Sequence, residues 1–556
     1  MKVSRRDLLI GGAGAIAGLV LSPVPWKLLG DSSIWTQNFP WIPQPARGPV
    51  ETKYSACTLC EAGCGIRLRM AAKCPVGITG VRSHPVSQGA LCALAFAAHQ
   101  LNWHPRRLRE VRHAGHAASW AEAQAAFRKA CAEGPIAIID GRPGRAASSA
   151  FEAFTRNHHG SYQVVLSAES QALSPYARWS GVSVASLGYD MENARTIVSF
   201  GAPLLDGWGT PGRFTRLWSV RAAGAADPQL RLIQIEPSLS RTAARAWRWI
   251  PVREASEAAL AAGLARVLLE EHMVNAKGPM PQLSLAEAAA ATGLSTEAIH
   301  DLAHTMLENR PVVVIAAGDN PAIAALNVLL GTVGAPGGIV RKRGDVPVQI
   351  AAGSLPSSLR AVLVDSTVPW EFSIPTDAEV FRFAAWDGGG NKAGWLLPAP
   401  GFLEELTDVP TPPTFSRETY AVALNLVAPS TEVQSAAQFL LKINPTLPVV
   451  KKVIQARCEE IFRGRKGTVY GEHAVAVTKI DSAQHLEEQL RQGAVWVGDA
   501  PSSGKLQCDL KEWPAENRLA RTINWATAWV PPVFPALGTK LYQESNLREL
   551  PAGRQG

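Results

Sequence analysis

Eight cysteines occur in the 556 residues, and four of them are spaced for one task. The run Cys57-Thr58-Leu59-Cys60-Glu61-Ala62-Gly63-Cys64 brings three thiols onto one short loop, and Cys92 follows to complete a C-x2-C-x3-C-x27-C pattern. A cubane [4Fe-4S] cluster needs four thiolates converging on one small volume. Three close cysteines can meet three corners, with Gly63 and Gly65 letting the backbone fold around them. The fourth must return from elsewhere. Gly89-Ala90-Leu91-Cys92 supplies it after a short antiparallel stretch, out along 65–69 and back along 80–82. Two other chemistries also use four cysteines. Structural zinc usually takes two C-x2-C knuckles. Two disulfides suit an oxidising compartment, but C-x2-C-x3-C is crowded for them. The spacing predicts one [4Fe-4S] cluster held by Cys57, Cys60, Cys64 and Cys92. Cys74 falls in the apparent hairpin turn Lys73-Cys74-Pro75 and reads as a turn residue. Cys131, Cys458 and Cys508 are isolated and read as buried small hydrophobes.

The elements around this loop read as α/β. Short apolar runs over 135–140, 163–166, 196–201, 230–236, 311–318 and 361–365 end in Gly or an acid, or run on into helix-like stretches. Continuous Val, Ile and Leu suit parallel strands buried on both faces. Alternation with helices over 121–133 and 255–271 predicts doubly wound sheets. Ligands of such sheets sit beyond the carboxyl ends of the strands, where Gly201, Asp206, Glu236 and Asp319 fall. Each of these also serves as an ordinary turn residue or helix cap.

Ser4-Arg5-Arg6-Asp7-Leu8-Leu9 reads as a twin-arginine export signal, followed by an apolar stretch over 8–21. At 1.5 Å per residue that stretch is too short for a bilayer core of ~30 Å, as expected of a signal h-region. Pro23-Val24-Pro25-Trp26 follows with no A-x-A cleavage motif, so the segment is expected to stay attached, against the membrane. A net charge of +8 is spread out, as in Arg106, Arg107 and Arg109, with no dense basic run, so nucleic acid is not an expected partner. Hydrophobic residues at 47% and charged residues at 18% describe a globular chain rather than a disordered one.

The segment from Cys57 to about Arg112 resembles the N-terminal domain of the complex iron–sulfur molybdoenzymes, the dimethyl sulfoxide reductase superfamily. The likeness rests on the cysteine spacing, His84-Pro85-Val86-Ser87-Gln88-Gly89-Ala90-Leu91-Cys92, Leu101-Asn102-Trp103-His104-Pro105-Arg106-Arg107-Leu108 and Ser119-Trp120-Ala121-Glu122-Ala123. Ile197-Val198-Ser199-Phe200-Gly201-Ala202-Pro203 resembles the strand and loop that meet the pterin cofactor there. Ala324-Ala325-Leu326-Asn327 with Gly334-Ala335-Pro336-Gly337-Gly338, and Leu397-Pro398-Ala399-Pro400-Gly401-Phe402-Leu403-Glu404, resemble two further signatures. A weaker match reaches Leu541-Tyr542-Gln543-Glu544-Ser545. The resemblance implies a small β-rich [4Fe-4S] domain over 47–112 after a signal over 1–30. A first α/β domain is expected from 113–165 with 310–465, a second inserted at 166–309, and a short C-terminal domain over 466–556.

Three departures from the family shape the reading. Many members carry a Lys two residues after the fourth cysteine; here that position is Leu94. No cysteine lies between Cys131 and Cys458, so a thiolate cannot bind molybdenum from the expected region of 165–185. Ser167, Ser170, Ser174 and Ser180 are the oxygen candidates there. About ninety residues follow Lys466, short for a domain that closes over two pterins. The chain is therefore similar to the molybdopterin-oxidoreductase-like subunits of the menaquinone reductase complex and alternative complex III. That resemblance implies an electron-transfer subunit on the extracytoplasmic face of the membrane, without molybdenum. Implied partners are a ferredoxin-like iron–sulfur subunit, a multihaem cytochrome c and a quinone-binding membrane subunit. Arg67, Arg69 and Arg82 are candidates for raising the cluster potential. Two alternatives remain: a catalytic enzyme carrying molybdopterin guanine dinucleotide and acting on a small oxyanion or sulfur compound, and a structural subunit with a redox-silent cluster.

Overall fold

The computed structural model describes residues 4–21, 48–104, 107–205, 207–222, 229–274, 278–342, 355–356, 358–365, 377–386, 394–413, 415–429, 431–500 and 506–514. Pro23-Val24-Pro25-Trp26, Pro105, Arg106, Asp206 and Leu541-Tyr542-Gln543-Glu544-Ser545 lie outside the described residues. Contacts group the chain into two compact units, 1–52 with 69–76, and 53–68 with 77–556. The first unit carries the helix Arg5–Leu21. Ser4 caps it, its hydroxyl accepting from the Asp7 N–H at 3.1 Å and donating to the Asp7 carboxylate at 2.7 Å. Residues 4–20 are all exposed. Among the described residues, no helix is long and apolar enough to cross a membrane.

The cysteine-bearing region is a three-stranded sheet, Val50–Ala56, Gly65–Ala71 and Cys74–Gly80 in that order. The hairpin turns through Ala72 and Lys73, both at positive φ. The returning strand thus runs earlier than the 80–82 expected from sequence, and Cys74 is its first residue.

Beyond it lies a seven-stranded sheet, in the order His116–Ala118, Val111–His113, Trp395–Pro398, Glu379–Ala384, Ala361–Val364, Ile136–Asp140, Ser161–Val164. The last five are parallel, and the first two form an antiparallel edge. Its strands read as unbroken apolar runs because both faces are covered. Ile136 and Ile138 pack with Phe127, Phe151 and Phe439, while Ala137 and Ile139 pack with Leu359 and Val364. The helix Trp120–Glu133 starts on a capping box between Ser119 and Glu122.

A second, all-parallel sheet has the order Arg248–Ile250, Arg231–Ile235, Thr196–Phe200, Val312–Ala316. It too alternates between two cores. Val198 and Val314 meet residues of the helices Glu257–Glu270 and Thr296–Glu308, and Ile197 and Val313 meet Leu173 and Tyr176.

Strand pairing crosses two of the domain bounds expected from sequence. The strand Val312–Ala316 pairs with Thr196–Phe200, so the inserted sheet extends past 310. An apolar run announces a strand but not the neighbour it chooses. The stretch from 466 does not stand apart either. Thr468–Tyr470, Ala474–Ala476 and Val495–Val497 share a five-stranded antiparallel sheet with Thr407–Val409 and Thr419–Ala423.

The Ala324-Ala325-Leu326-Asn327 signature has a structural task. Val312–Ala316 is an edge strand, and Asn327 completes its open side. Asn327 donates to the Val314 carbonyl at 2.7 Å and accepts the Val314 N–H at 2.9 Å. It also donates to the Tyr176 hydroxyl at 2.6 Å and is fully buried. Asn327→Ala strands two buried backbone groups and is expected to cost about 3 kcal/mol in denaturant unfolding. A loss under about 0.5 kcal/mol, the range of an ordinary surface change, would contradict this role.

Candidate metal centre

The cysteine loop closes on itself: the Cys57 N–H donates to the Cys64 carbonyl at 2.8 Å. Gly63 takes φ +58, and a Cβ there would stand 2.3 Å from Val409 Cγ1, so turn and packing both demand glycine. Gly65 lies against the His84 ring, 2.4 Å from where its Cβ would be. His84 is buried, and burial pulls its pKa down to about 4.

All four cysteines are free; Cys57 and Cys64 are buried, Cys60 and Cys92 half-buried. Burial pushes the Cys57, Cys60 and Cys64 thiols well above their ordinary range. Neighbouring thiols add to this. Cys57 feels Cys64 and Cys92, Cys60 feels Cys57 and Cys92, and Cys64 feels Cys60 and Cys92. The four sulfurs thus share one enclosed region. A bound cation reverses such shifts, because thiolates ligate and thiols do not. Among the described residues, no three His, Cys, Asp or Glu side chains converge on a single metal ion. A cubane asks for a different arrangement, with each thiolate on its own iron. Four free cysteines gathered at one loop fit that donor set.

Two further elements wall the loop. The helix Pro211–Arg221 begins beside it, with Gly212 so close that an added Cβ would lie 3.4 Å from Cys64 Sγ. Thr210 provides no side-chain cap, so the partial positive charge of the first turn stands beside this sulfur. The second wall is a cleft of about 790 Å³, solvent at its mouth included, lined by Thr58, Cys60, Glu61, Arg142, Arg145, Ser170, Lys342 and Asp408 among others. It opens at the carboxyl ends of Ile136–Asp140 and Ser161–Val164, where doubly wound sheets place ligands.

Charge in this cleft is organised. Asp140 is fully buried and accepts from the Arg142 N–H at 2.9 Å, Ser148 Oγ at 2.6 Å and the Tyr162 hydroxyl at 2.9 Å. Arg145 joins it at 3.3 Å and also pairs with Asp365. Arg142 donates through Nη1 to the Thr58 carbonyl at 2.8 Å. Its Nε is buried without a partner, as is Glu61 Oε2. Burial first, and then Glu169, push the Glu61 carboxyl up to about 8.

The other candidates separate. Glu236 is buried and accepts from Gln234 Nε2 at 2.9 Å, Asp319 holds Arg178 through two contacts of 2.8 Å, and Gly201 is a positive-φ turn after its strand. None of the three lines the cleft. Ser174 and Ser180 donate to carbonyls of their own helix, Ser167 caps it, and only Ser170 of the four lines the cleft. Leu94 is half-buried; Arg67, Arg69 and Arg82 are exposed. Two motifs meet: Arg107 is ion-paired with Glu404 and donates to the Ala385 and Ala399 carbonyls, and Asn102 Nδ2 donates to the Phe402 carbonyl. Sequence reasoning passed over Arg142 and Arg145, whose Arg-Pro-Gly-Arg setting reads as a plain turn.

Cysteine loop, hairpin sheet and twin wound sheets define a class: they fit the complex iron–sulfur molybdoenzymes, the dimethyl sulfoxide reductase superfamily. Residues 50–101 match the molybdopterin oxidoreductase Fe4S4 domain. The chain is 28% identical over 506 residues to the menaquinone reductase molybdopterin-binding-like subunit of Nitratidesulfovibrio vulgaris, covering 80% of this chain and 72% of that one. It is 25% identical over 226 residues to a nitrate reductase of Klebsiella oxytoca, covering 38% of this chain and 26% of that protein. Acetylene hydratase from Pelobacter acetylenicus shares the fold, with a TM-score of 0.60 at 12% identity over 81% of this chain and 74% of that one.

Proposed function

We propose that this protein is an electron-transfer subunit of a quinone-linked respiratory complex, exported by the twin-arginine route to the extracytoplasmic face of the membrane. Its [4Fe-4S] cluster is held by Cys57, Cys60, Cys64 and Cys92. The observation that carries this reading is the set of four free cysteines, on one closed loop and at Cys92, inside the matched Fe4S4 domain. When bound, the cluster supplies one-electron chemistry. The protein's part is to enclose it, to place a helix N-terminus beside Cys64, and to set local charge. The menaquinone reductase relative supports the quinone-linked setting. Partners of matching chemistry are a ferredoxin-like iron–sulfur subunit, a multihaem cytochrome c and a quinone-binding membrane subunit.

Molybdenum takes no part in this reading. Its support is Leu94 in place of the usual Lys, and a chain without cysteine between Cys131 and Cys458. One observation favours a second reading, a catalytic molybdopterin enzyme: the cleft beside Cys60 carries Arg142, Lys342 and Ser170. Elemental analysis of natively purified protein separates the two. About four Fe per chain without Mo or W is the expected result. Molybdenum or tungsten near one per chain would make this an enzyme and turn attention to Ser170.

A further inference from the structure

We propose that Arg142 is the fixed cation that sets the reduction potential of the cluster, in place of the Lys that Leu94 displaces. The inference rests on the assignment of Cys57, Cys60, Cys64 and Cys92 as cluster ligands.

Arg142 comes from the turn after Ile136–Asp140, far in sequence from the cysteines, and reaches the loop between Cys57 and Cys60 through the Thr58 carbonyl at 2.8 Å. It is held from both sides. Its N–H donates to Asp140 at 2.9 Å, and its carbonyl accepts Arg145 Nε at 2.8 Å. Asp365, Glu405 and Asp140 also act on it. Asp140 and Asp365 bond the Arg145 guanidinium, while Arg142 directs its own toward the loop. Burial, with Arg145 second, lowers the Arg142 pKa to about 10, so the guanidinium stays charged. Its guanidinium reaches the loop between two of the proposed ligands, through the Thr58 carbonyl.

The physical consequence follows from this contact and from the half-buried place of Arg142. One electron arriving from a one-electron donor makes the cluster more negative by one charge. A cation in a low-dielectric surround favours that state strongly, whereas exposed charges are screened by water and salt. Arg67, Arg69 and Arg82 are exposed and Arg142 is half-buried in the cleft, so the candidates named from the sequence give way to a more enclosed residue.

The test is an EPR-monitored redox titration of the full-length, cluster-loaded protein with mediator dyes, beside iron analysis. Arg142→Gln is expected to shift the ratio of reduced to oxidised cluster at fixed potential at least tenfold toward oxidised, a drop of about 59 mV for one electron. Arg142→Lys keeps the charge and is expected to stay within threefold of the parent. Arg82→Gln is expected to change nothing. An unmoved potential in Arg142→Gln with iron retained overturns the proposal. So does a tenfold shift in Arg142→Lys with iron retained, because charge would then not be the agent. Should Arg142→Gln lose its iron, Arg142→Lys decides alone: iron kept and potential within threefold supports the proposal. Iron lost from both variants means a mechanical clamp and overturns it. A parent protein without iron is a separate failure, of the cluster assignment itself.

Discussion

Cys64→Ala is expected to empty the centre: iron should fall from about four atoms per chain to well below one, with loss of the broad cluster absorbance. Cys64, one of the four proposed ligands, is held by several elements. It is buried, its carbonyl closes the loop on Cys57, and the helix Pro211–Arg221 begins against its sulfur. No other free cysteine can take its place without moving backbone. Cys74 opens the returning hairpin strand, and Cys458 and Cys508 pack in separate cores. Cys74→Ala should therefore keep all of its iron. The α/β sheets have their own cores, so their far-UV signal should survive in Cys64→Ala while the cysteine-bearing region loosens, as metal sites staple small domains. Full iron content in Cys64→Ala, or equal losses in Cys64→Ala and Cys74→Ala, would remove Cys64 from the ligand set.

How much of this could be read in advance depended on whether the cause was local. The C-x2-C-x3-C run is local, and so is the need for Gly63 at its turn. The apolar runs at 136–140, 196–200 and 312–316 were legible because strands buried on both faces need no alternation. Partner choice is not local. Nothing within Val312–Ala316 says that it joins Thr196–Phe200, and nothing in the stretch after 466 says that it completes a sheet begun at Thr407. Arg142 was hidden for the same reason. Its importance comes from a carbonyl 84 positions away in sequence, whereas Arg67 and Arg82 drew attention by lying near the cysteines. The meeting of Arg107 with Glu404 had a visible trace, since both belong to recognisable motifs, but only the fold shows that one motif holds the other.

Arg145→Met is the substitution expected to damage the folded protein most. Burial alone would depress the Arg145 guanidinium, but Asp365 and Asp140 outweigh it and hold it above its ordinary value. Removing this cation leaves two buried carboxylates, Asp140 and Asp365, facing each other's charge. Stranding a buried charge in this way costs about 3–5 kcal/mol, more than most core truncations to a smaller side chain. Thermal unfolding should start several degrees earlier. Asp140 keeps Ser148, Tyr162 and the Arg142 N–H as donors, so Asp365 is the more exposed to the loss. Arg145→Met with Asp365→Asn should accordingly recover part of the stability that Arg145→Met loses. Additive losses in the double variant would mean that packing, not charge, holds this corner. The same comparison bears on the centre. Arg145 Nε supports the Arg142 carbonyl, so a slackened turn should also let Arg142 leave Thr58. A cluster potential that falls in Arg145→Met and returns toward the parent in the double variant would tie the buried ion network to the redox site. An unmoved potential alongside a large stability loss would confine Arg145 to holding the fold.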